Sequence, residues 1–249
     1  DRACGHQSSN TDGTHLNFSS YHFYVYIRIL KEEVLSMNVL VTAFDPFGGE
    51  SINPALQAVQ KLPDTIEGHQ VDKLEIPTVF HKSMAVIKEK LEQTHYDVVI
   101  AVGQAGGRFE ITPERVAINV DDARIADNEG QQPIDQPIQE DGAPAYFATL
   151  PVKRIVEAIR AEGIPSSLSN SAGTFVCNHI MYQLAYAAER DYPVLKTGFI
   201  HVPFTPKQVI NKPGQPSMSV DMMVQGLEAA IKVCLNYDSD IQTVHGTTH

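Results

Sequence analysis

Cys177, in the stretch Ala-Gly-Thr-Phe-Val-Cys-Asn-His (172–179), is the one cysteine in the middle of the chain. It follows an apolar Thr-Phe-Val and precedes a helix-like segment, so its sulfur would lie near a helix N-terminus. There the helix dipole and free backbone N–H groups stabilise a thiolate and lower the thiol pKa. The same position also suits a small buried hydrophobe, and the local sequence leaves both readings open. A cysteine nucleophile needs a base, usually histidine, and often an acid that orients that base. Among the ten histidines, His201 ends the apolar stretch Gly-Phe-Ile-His-Val-Pro-Phe, as a strand end presenting a side chain to a crevice would. A hydrogen-bonded structural histidine is the alternative there. His179 lies two residues past Cys177 and on a helix points away from it, while His69, His81 and His95 sit in polar settings and read as solvated.

The acid is sought in Gly-Gln-Ala-Gly-Gly-Arg-Phe-Glu-Ile-Thr-Pro-Glu-Arg-Val-Ala-Ile-Asn (103–119). Glu114 and Arg115 precede the apolar Val-Ala-Ile-Asn. They form either a surface ion pair or the entry to a buried strand in which Glu114 holds a histidine. Gly103, Gly106 and Gly107 permit close backbone approach to a ligand, but no Gly-Lys-Ser/Thr follows, so a phosphate loop is not indicated. No Cys/His cluster has metal-ligand spacing, and neither metal nor cofactor is expected. Cys234 falls on the apolar face of the last helical segment and reads as core.

The elements that must position these residues alternate strand-like and helix-like from Met37 onward. Val-Leu-Val-Thr-Ala-Phe reads as a strand, and Asn53-Pro54 starts a helix over 53–62. Strand-like 72–80, a helix near 81–94, the buried strand 97–103, and a long irregular loop at 121–145 follow. A helix near 151–162, a short strand Ser-Ser-Leu-Ser-Asn-Ser (166–171), a helix over 177–190 and the strand 197–204 come next. An amphipathic helix closes the fold, with Val220, Met223, Val224, Leu227, Ala230, Ile231 and Cys234 at helical spacing. Such alternation predicts a single-domain, three-layer α/β/α sandwich on a mostly parallel, mixed sheet.

Residues 1–36 differ from the rest: they are rich in Ser, Asn, Thr, His and Gly and make a poor signal peptide. Lys31-Glu32-Glu33 is what a purine-rich ribosome-binding sequence would encode. Residues 1–36 therefore read as translated upstream sequence with Met37 as the natural start, against the alternative of an extension packing an edge strand. The catalytic unit is expected at 37–236, and 237–249 is expected to fray. The chain has 249 residues, 43% hydrophobic and 20% charged, and a net charge of −11. That charge argues against nucleic acid or anionic membrane as partners, and no apolar run approaches the roughly 20 residues that cross a bilayer. Three widely separated cysteines point to a reduced, cytoplasmic setting.

Together, Thr-Ala-Phe-Asp-Pro-Phe-Gly-Gly (42–49), Asn-Pro-Ala (53–55), Ile-Pro-Thr-Val-Phe (76–80), the 103–130 segment, Ser-Asn-Ser-Ala-Gly-Thr-Phe-Val-Cys-Asn-His (169–179) and Gly-Phe-Ile-His-Val-Pro-Phe (198–204) resemble the pyroglutamyl peptidase I family. These cysteine peptidases remove N-terminal pyroglutamate. The similarity extends over about residues 37–235, and its one departure is Ala43, where the family more often has glycine. The resemblance implies Cys177 as nucleophile, His201 as general base and Glu114 as the acid that orients it. It implies a lactam pocket of Phe44, Phe47, Thr78, Ile125, Phe175 and Val176, ring recognition by Gln104, site stabilisation by Arg124, and a homotetramer. An apolar pocket suits an uncharged lactam and rejects an ordinary charged N-terminus by desolvation. Peptides beginning with pyroglutamate are the expected substrates. A cysteine amidase acting on small lactams or amides, and a non-catalytic small-molecule binding protein, are the competing readings.

Overall fold

In the first strand, residues of alternate register enter two different cores. Val39, Val41 and Ala43 pack on one side, Leu40 and Phe44 on the other, and all are buried, the period-two signature of a sheet covered on both faces. The computed structural model describes residues 36–247; the expectations for residues 1–35 lie outside the described residues. Strands β1 (Asn38–Phe44), β2 (Thr65–Ile66), β3 (His69–Ile76), β4 (Val98–Gln104), β5 (Thr112–Pro113) and β8 (Lys196–Val202) form one mixed sheet in the order β2-β3-β1-β4-β8-β5. The four central strands are parallel; β2 and β5 join antiparallel at the edges.

Helices α1 (Pro54–Gln60), α3 (Val152–Ala161) and α6 (Val220–Asn236) cover one face, through residues such as Ala58, Ile155 and Leu227. Helices α2 (Lys82–Gln93) and α4 (Val176–Arg190) cover the other through Ile87, Leu91, Ile180 and Leu184. The result is the three-layer α/β/α sandwich that the alternation predicts. Each fully buried Val, Leu or Ile contributes about 1.5–3 kcal/mol, so the two cores hold the layers firmly. Helix α1 begins where Asn53 and Pro54 predict, with the Asn53 side chain accepting the Ala55 N–H at 3.0 Å. Among the described residues no helix is long and apolar enough to cross a membrane.

Three expectations need correction. The segment 166–171 is not a strand: it makes only two isolated bridges, Ile111 with Ser166 and Glu114 with Ser169. The ladder bonds on either side form (Ser167 N–H to Ile111 O, Ser169 N–H to Pro113 O, Arg115 N–H to Ser169 O). The bond in between would need an N–H from Pro113, which proline lacks. Val-Ala-Ile-Asn does not enter the buried sheet either. Val116–Ile118 is β6, paired with β7 (Ala145–Phe147) in a separate hairpin, with Ala117 buried and Ile118 exposed. Nor do residues 238–245 hang free. Asp240 accepts the backbone N–H groups of the second and third residues of α3, Lys153 and Arg154, both at 2.9 Å, an N-terminal cap supplied from a distance in sequence. Asp238 pairs with Lys196 at 2.6 Å.

Candidate active site

The carboxyl ends of β1, β4 and β8 open into one crevice, as open α/β sheets favour, and the N-terminus of α4 points into it. Gly103 near the end of β4 lies opposite His201 in the parallel register with β8. A Cβ on Gly103 would come 3.0 Å from the Cys177 sulfur and 2.7 Å from the Phe199 ring. The glycine thus makes room for the thiol beside the strand that carries His201. Gly106 plays the same part for the Phe204 ring, which lies 2.2 Å from where its Cβ would sit. Gly103 thus accommodates protein side chains, while Gly106, beside the Phe204 ring, also lines the cavity.

Helix α4 starts with no side-chain cap at Phe175. Instead Asn178 ties its first turn to β6, accepting the Ile118 N–H at 3.0 Å and donating to the Ile118 and Val120 carbonyls at 2.9 and 3.1 Å. Uncapped helix starts leave backbone donors free to meet an anion.

His201 is held through Nδ1, 2.7 Å from Glu114 Oε1. Glu114 is fully buried, its N–H bonded to the Phe199 carbonyl at 2.9 Å. Its charge is met by Arg108, which donates to Oε1 at 2.6 Å and also to Thr112 Oγ1 at 2.5 Å and the Ser171 carbonyl at 3.1 Å. Arg115, the sequence neighbour, is not the partner.

Burial is the largest influence on Glu114 and works to raise its pKa, but His201 and Arg108 together overcome it and hold the carboxyl below its usual value. Burial lowers the pKa of His201, with Arg108 adding to it and Glu114 opposing. The pair is therefore a carboxylate and a neutral imidazole at neutral pH. Nδ1–H faces Glu114, which leaves Nε2 with a free lone pair. Cys177 departs from expectation: burial, followed by the Glu114 charge, pushes its thiol up to about 12, with Arg108 opposing. Desolvation and the Glu114 charge therefore favour the thiol form of the resting sulfur.

Cys177 and His201 line a cavity of about 450 Å³. Of the remaining residues singled out in the sequence, Phe47, Gln104, Arg124, Ile125 and Phe175 line it too. Phe47 and Phe175 face each other at 6.1 Å between ring centres, and Phe80 backs Phe175 edge-on at 5.4 Å. Phe44, Thr78 and Val176 are not in the lining, contrary to expectation. Phe44 is buried in the core against Phe199, 6.4 Å between ring centres, because its register on β1 directs it beneath the sheet. Val176 is fully buried one residue before the thiol. Thr78 is buried and holds Asp45, its N–H and hydroxyl each donating to Oδ1 at 2.7 Å. Asn128 donates to the same oxygen at 3.1 Å and to the Pro46 carbonyl at 3.0 Å. Thr78 therefore steadies the loop that carries Phe47. Asp127 ties down the long loop similarly, accepting the N–H groups of Phe80, Glu129 and Gln131.

A family model described as pyroglutamyl peptidase matches residues 37–237. This chain belongs to the pyroglutamyl peptidase family. The pyrrolidone-carboxylate peptidase of Staphylococcus saprophyticus is 62% identical over 213 residues, 86% of this chain and all of that protein. That of Clostridium perfringens is 60% identical over 210 residues, covering 84% of this chain and 99% of the relative. The crystal structure of pyroglutamyl peptidase I from Bacillus amyloliquefaciens superposes with a TM-score of 0.82 at 46% identity, covering 84% of this chain and all of that one. A mutant pyrrolidone carboxyl peptidase from Pyrococcus furiosus gives 0.76 at 43% identity, over 80% and 98% of the two chains.

Relative to this family site, three features carry little sequence signal. Arg108 sits in a glycine-rich turn whose composition speaks only of backbone freedom. Phe204 and Gln215, from two further loops, and Asp122, from the loop of Arg124 and Ile125, also line the cavity. His179, set aside by helical spacing, is fully buried and bonded to Asp121 at 2.8 Å.

Proposed function

We propose that this pyroglutamyl peptidase family member hydrolyses the bond after an N-terminal pyroglutamyl residue, with Cys177 as nucleophile, His201 as acid–base and Glu114 as the group that orients His201. The observation that carries the reading is the convergence of a thiol, a neutral imidazole with a free Nε2 and a buried carboxylate at one aromatic-walled cavity. The functional unit is residues 37–236.

Because the resting thiol is protonated, attack and proton transfer are coupled. Cys177 Sγ bonds to the pyroglutamyl carbonyl carbon while its proton passes to His201 Nε2. The charge appearing on the carbonyl oxygen meets the backbone N–H groups at the uncapped start of α4, each well-placed donor contributing about 3–4 kcal/mol. Arg124 stands at the same wall and adds positive charge. His201 then protonates the leaving amine, the C–N bond breaks, and a thioester remains. Water gives a proton to His201, attacks the thioester and releases pyroglutamate, and the proton returns to sulfur. Glu114 keeps Nδ1–H engaged throughout and stabilises the imidazolium that forms.

Phe47, Phe175 and Ile125 offer the uncharged ring an apolar slot. A free ammonium entering that slot would lose its hydration against the Phe47, Phe175 and Ile125 side chains. The same reading places the enzyme in the cytoplasm as a homo-oligomer, a tetramer. Exposed Phe109, Phe147, Val194 and Ile210 are apolar surface that such an assembly would cover.

The test is turnover of a fluorogenic pyroglutamyl amide by wild type and Cys177→Ala. Wild type turns it over and the variant loses at least 1,000-fold in kcat/KM. Near wild-type activity in the variant would refute the nucleophile. No turnover by either would favour a non-catalytic binding protein.

A further inference from the structure

Outside the cavity, one buried side chain fixes the polarity of a group inside it. Gln208 lies on the short helix α5 (Pro206–Val209) and is almost fully buried. Its Oε1 accepts the Thr205 backbone N–H at 2.9 Å and the Thr205 hydroxyl at 3.3 Å. A backbone N–H can only donate, so the carbonyl of Gln208 must face Thr205. Its amide nitrogen therefore points the opposite way, donating to Gln104 Oε1 at 2.8 Å and reaching Glu50 Oε2 at 3.4 Å. The Glu50 carboxylate, an acceptor only, agrees with that orientation independently, and Lys212 holds it from the other side. With its oxygen turned to Gln208, Gln104 has its N–H donors to present on the other side. Gln104 lines the cavity.

We propose that Gln208 is a positioning residue that sets ring specificity: it holds Gln104 with N–H donors toward the cavity, so that the site selects a ring carbonyl. The inference rests on the pyroglutamyl peptidase reading, in which the lactam C=O of the substrate is that acceptor. N-terminal proline has a ring of the same size but carries CH2 where the lactam has C=O, and a charged donor at nitrogen. It would leave the Gln104 donors unpaired and desolvate its own charge, so discrimination comes from an unmade hydrogen bond as well as from an apolar wall.

Gln208→Glu tests the relay. The carboxylate keeps the bond to the Thr205 N–H but offers Gln104 an acceptor, so the Gln104 amide turns over and shows its carbonyl to the cavity. KM for pyroglutamyl-aminomethylcoumarin is expected to rise tenfold or more while kcat stays within threefold. The wild-type preference for this lactam over its thiolactam analogue, whose sulfur accepts weakly, is expected to collapse. Gln208→Met removes both polar atoms and frees Gln104 to rotate. It gives a smaller rise in KM and serves if the added charge beside Glu50 unfolds the chain. Folded variants with KM within twofold of wild type, or with the lactam preference intact, overturn the relay while wild-type turnover leaves the peptidase reading standing. Failure of the wild type itself to turn over the substrate overturns both.

Discussion

His201 and His179 are each bonded through Nδ1 to a buried carboxylate, at 2.7 Å from Glu114 and 2.8 Å from Asp121. Both rings are buried, and both stand close to Cys177 in the fold or in the sequence. They part company at Nε2. That of His179 accepts the backbone N–H of His81 at 3.2 Å, a residue with a positive φ of 61°. Its lone pair is spent on holding the start of α2 against α4. His201 keeps Nε2 for the cavity, and its carboxylate carries a second partner in Arg108. Two pairs of the same chemistry thus divide into a clamp and a base according to what meets one nitrogen. Burial and a short bond to an acid do not identify a catalytic histidine; an unspent lone pair at a cavity does.

The largest separation is expected in kcat. His201→Ala removes the general base and should lower kcat by about 10³–10⁴-fold, with a smaller fall in thermal stability than His179→Leu because Arg108 still meets the Glu114 carboxylate. His179→Leu leaves Nε2 chemistry at the site untouched, and kcat measured well below the melting temperature should stay within about tenfold. Comparable loss in the two variants would erase the distinction between clamp and base.

Stability should separate them in the opposite sense. His179→Leu strands the Asp121 carboxylate in the interior, and breaking a buried pair from one side costs about 3–5 kcal/mol. For a chain of this size that is a fall in Tm of roughly 10 °C. The double variant His179→Leu/Asp121→Leu, with no stranded charge, should recover part of it. A melting curve for His179→Leu that matches wild type would show the clamp to be dispensable.

What could be read from sequence divides along the same line. The layers were legible because strand and helix periodicity are local: Val39 and Leu40 face opposite cores, and Asn53-Pro54 starts a helix wherever it folds. Cys177, His201 and Glu114 could be singled out as candidates from their positions at a helix start, a strand end and beside an apolar run, but each position also admitted a structural reading and the roles came from the family resemblance. Their environment could not be read. The direction of the Cys177 shift depends on burial and on the Glu114 charge, which no neighbouring residue announces. Phe44 and Phe47 look equivalent in Phe-Asp-Pro-Phe, yet the strand's register sends one to the core and the loop sends the other to the cavity. Asp240 and Gln208 act through backbone N–H groups whose availability exists only in the folded chain. The break in the ladder at Pro113 was written in the sequence, but its consequence lay with Ser167, more than fifty residues away.

The smallest expected effect concerns Arg108, the feature present in one pair and missing from the other. His201 titrates below 6.5 because of burial, with Arg108 pushing in the same direction and Glu114 against it. The acid limb of kcat/KM, which reports protonation of this base in the free enzyme, should therefore lie below 6.5 in wild type. Arg108→Leu removes a cation beside the ring, so His201 binds its proton more readily and the limb moves to higher pH. Activity at pH 5.5–6 should fall further than activity at pH 8, where the imidazole is neutral in both proteins. The same linkage gives the stability trend a sign. His201 takes up its proton more easily in the unfolded chain, so stability falls as the pH drops through 6.5 toward the folded value. Glu114, lowered from 4.5, adds stability that is present above 4.5 and lost as pH falls through its own folded value. Both losses run toward acid. An acid limb that Arg108→Leu leaves in place, or moves to lower pH, would mean that Arg108 serves only to neutralise Glu114 and that its charge does not reach the base.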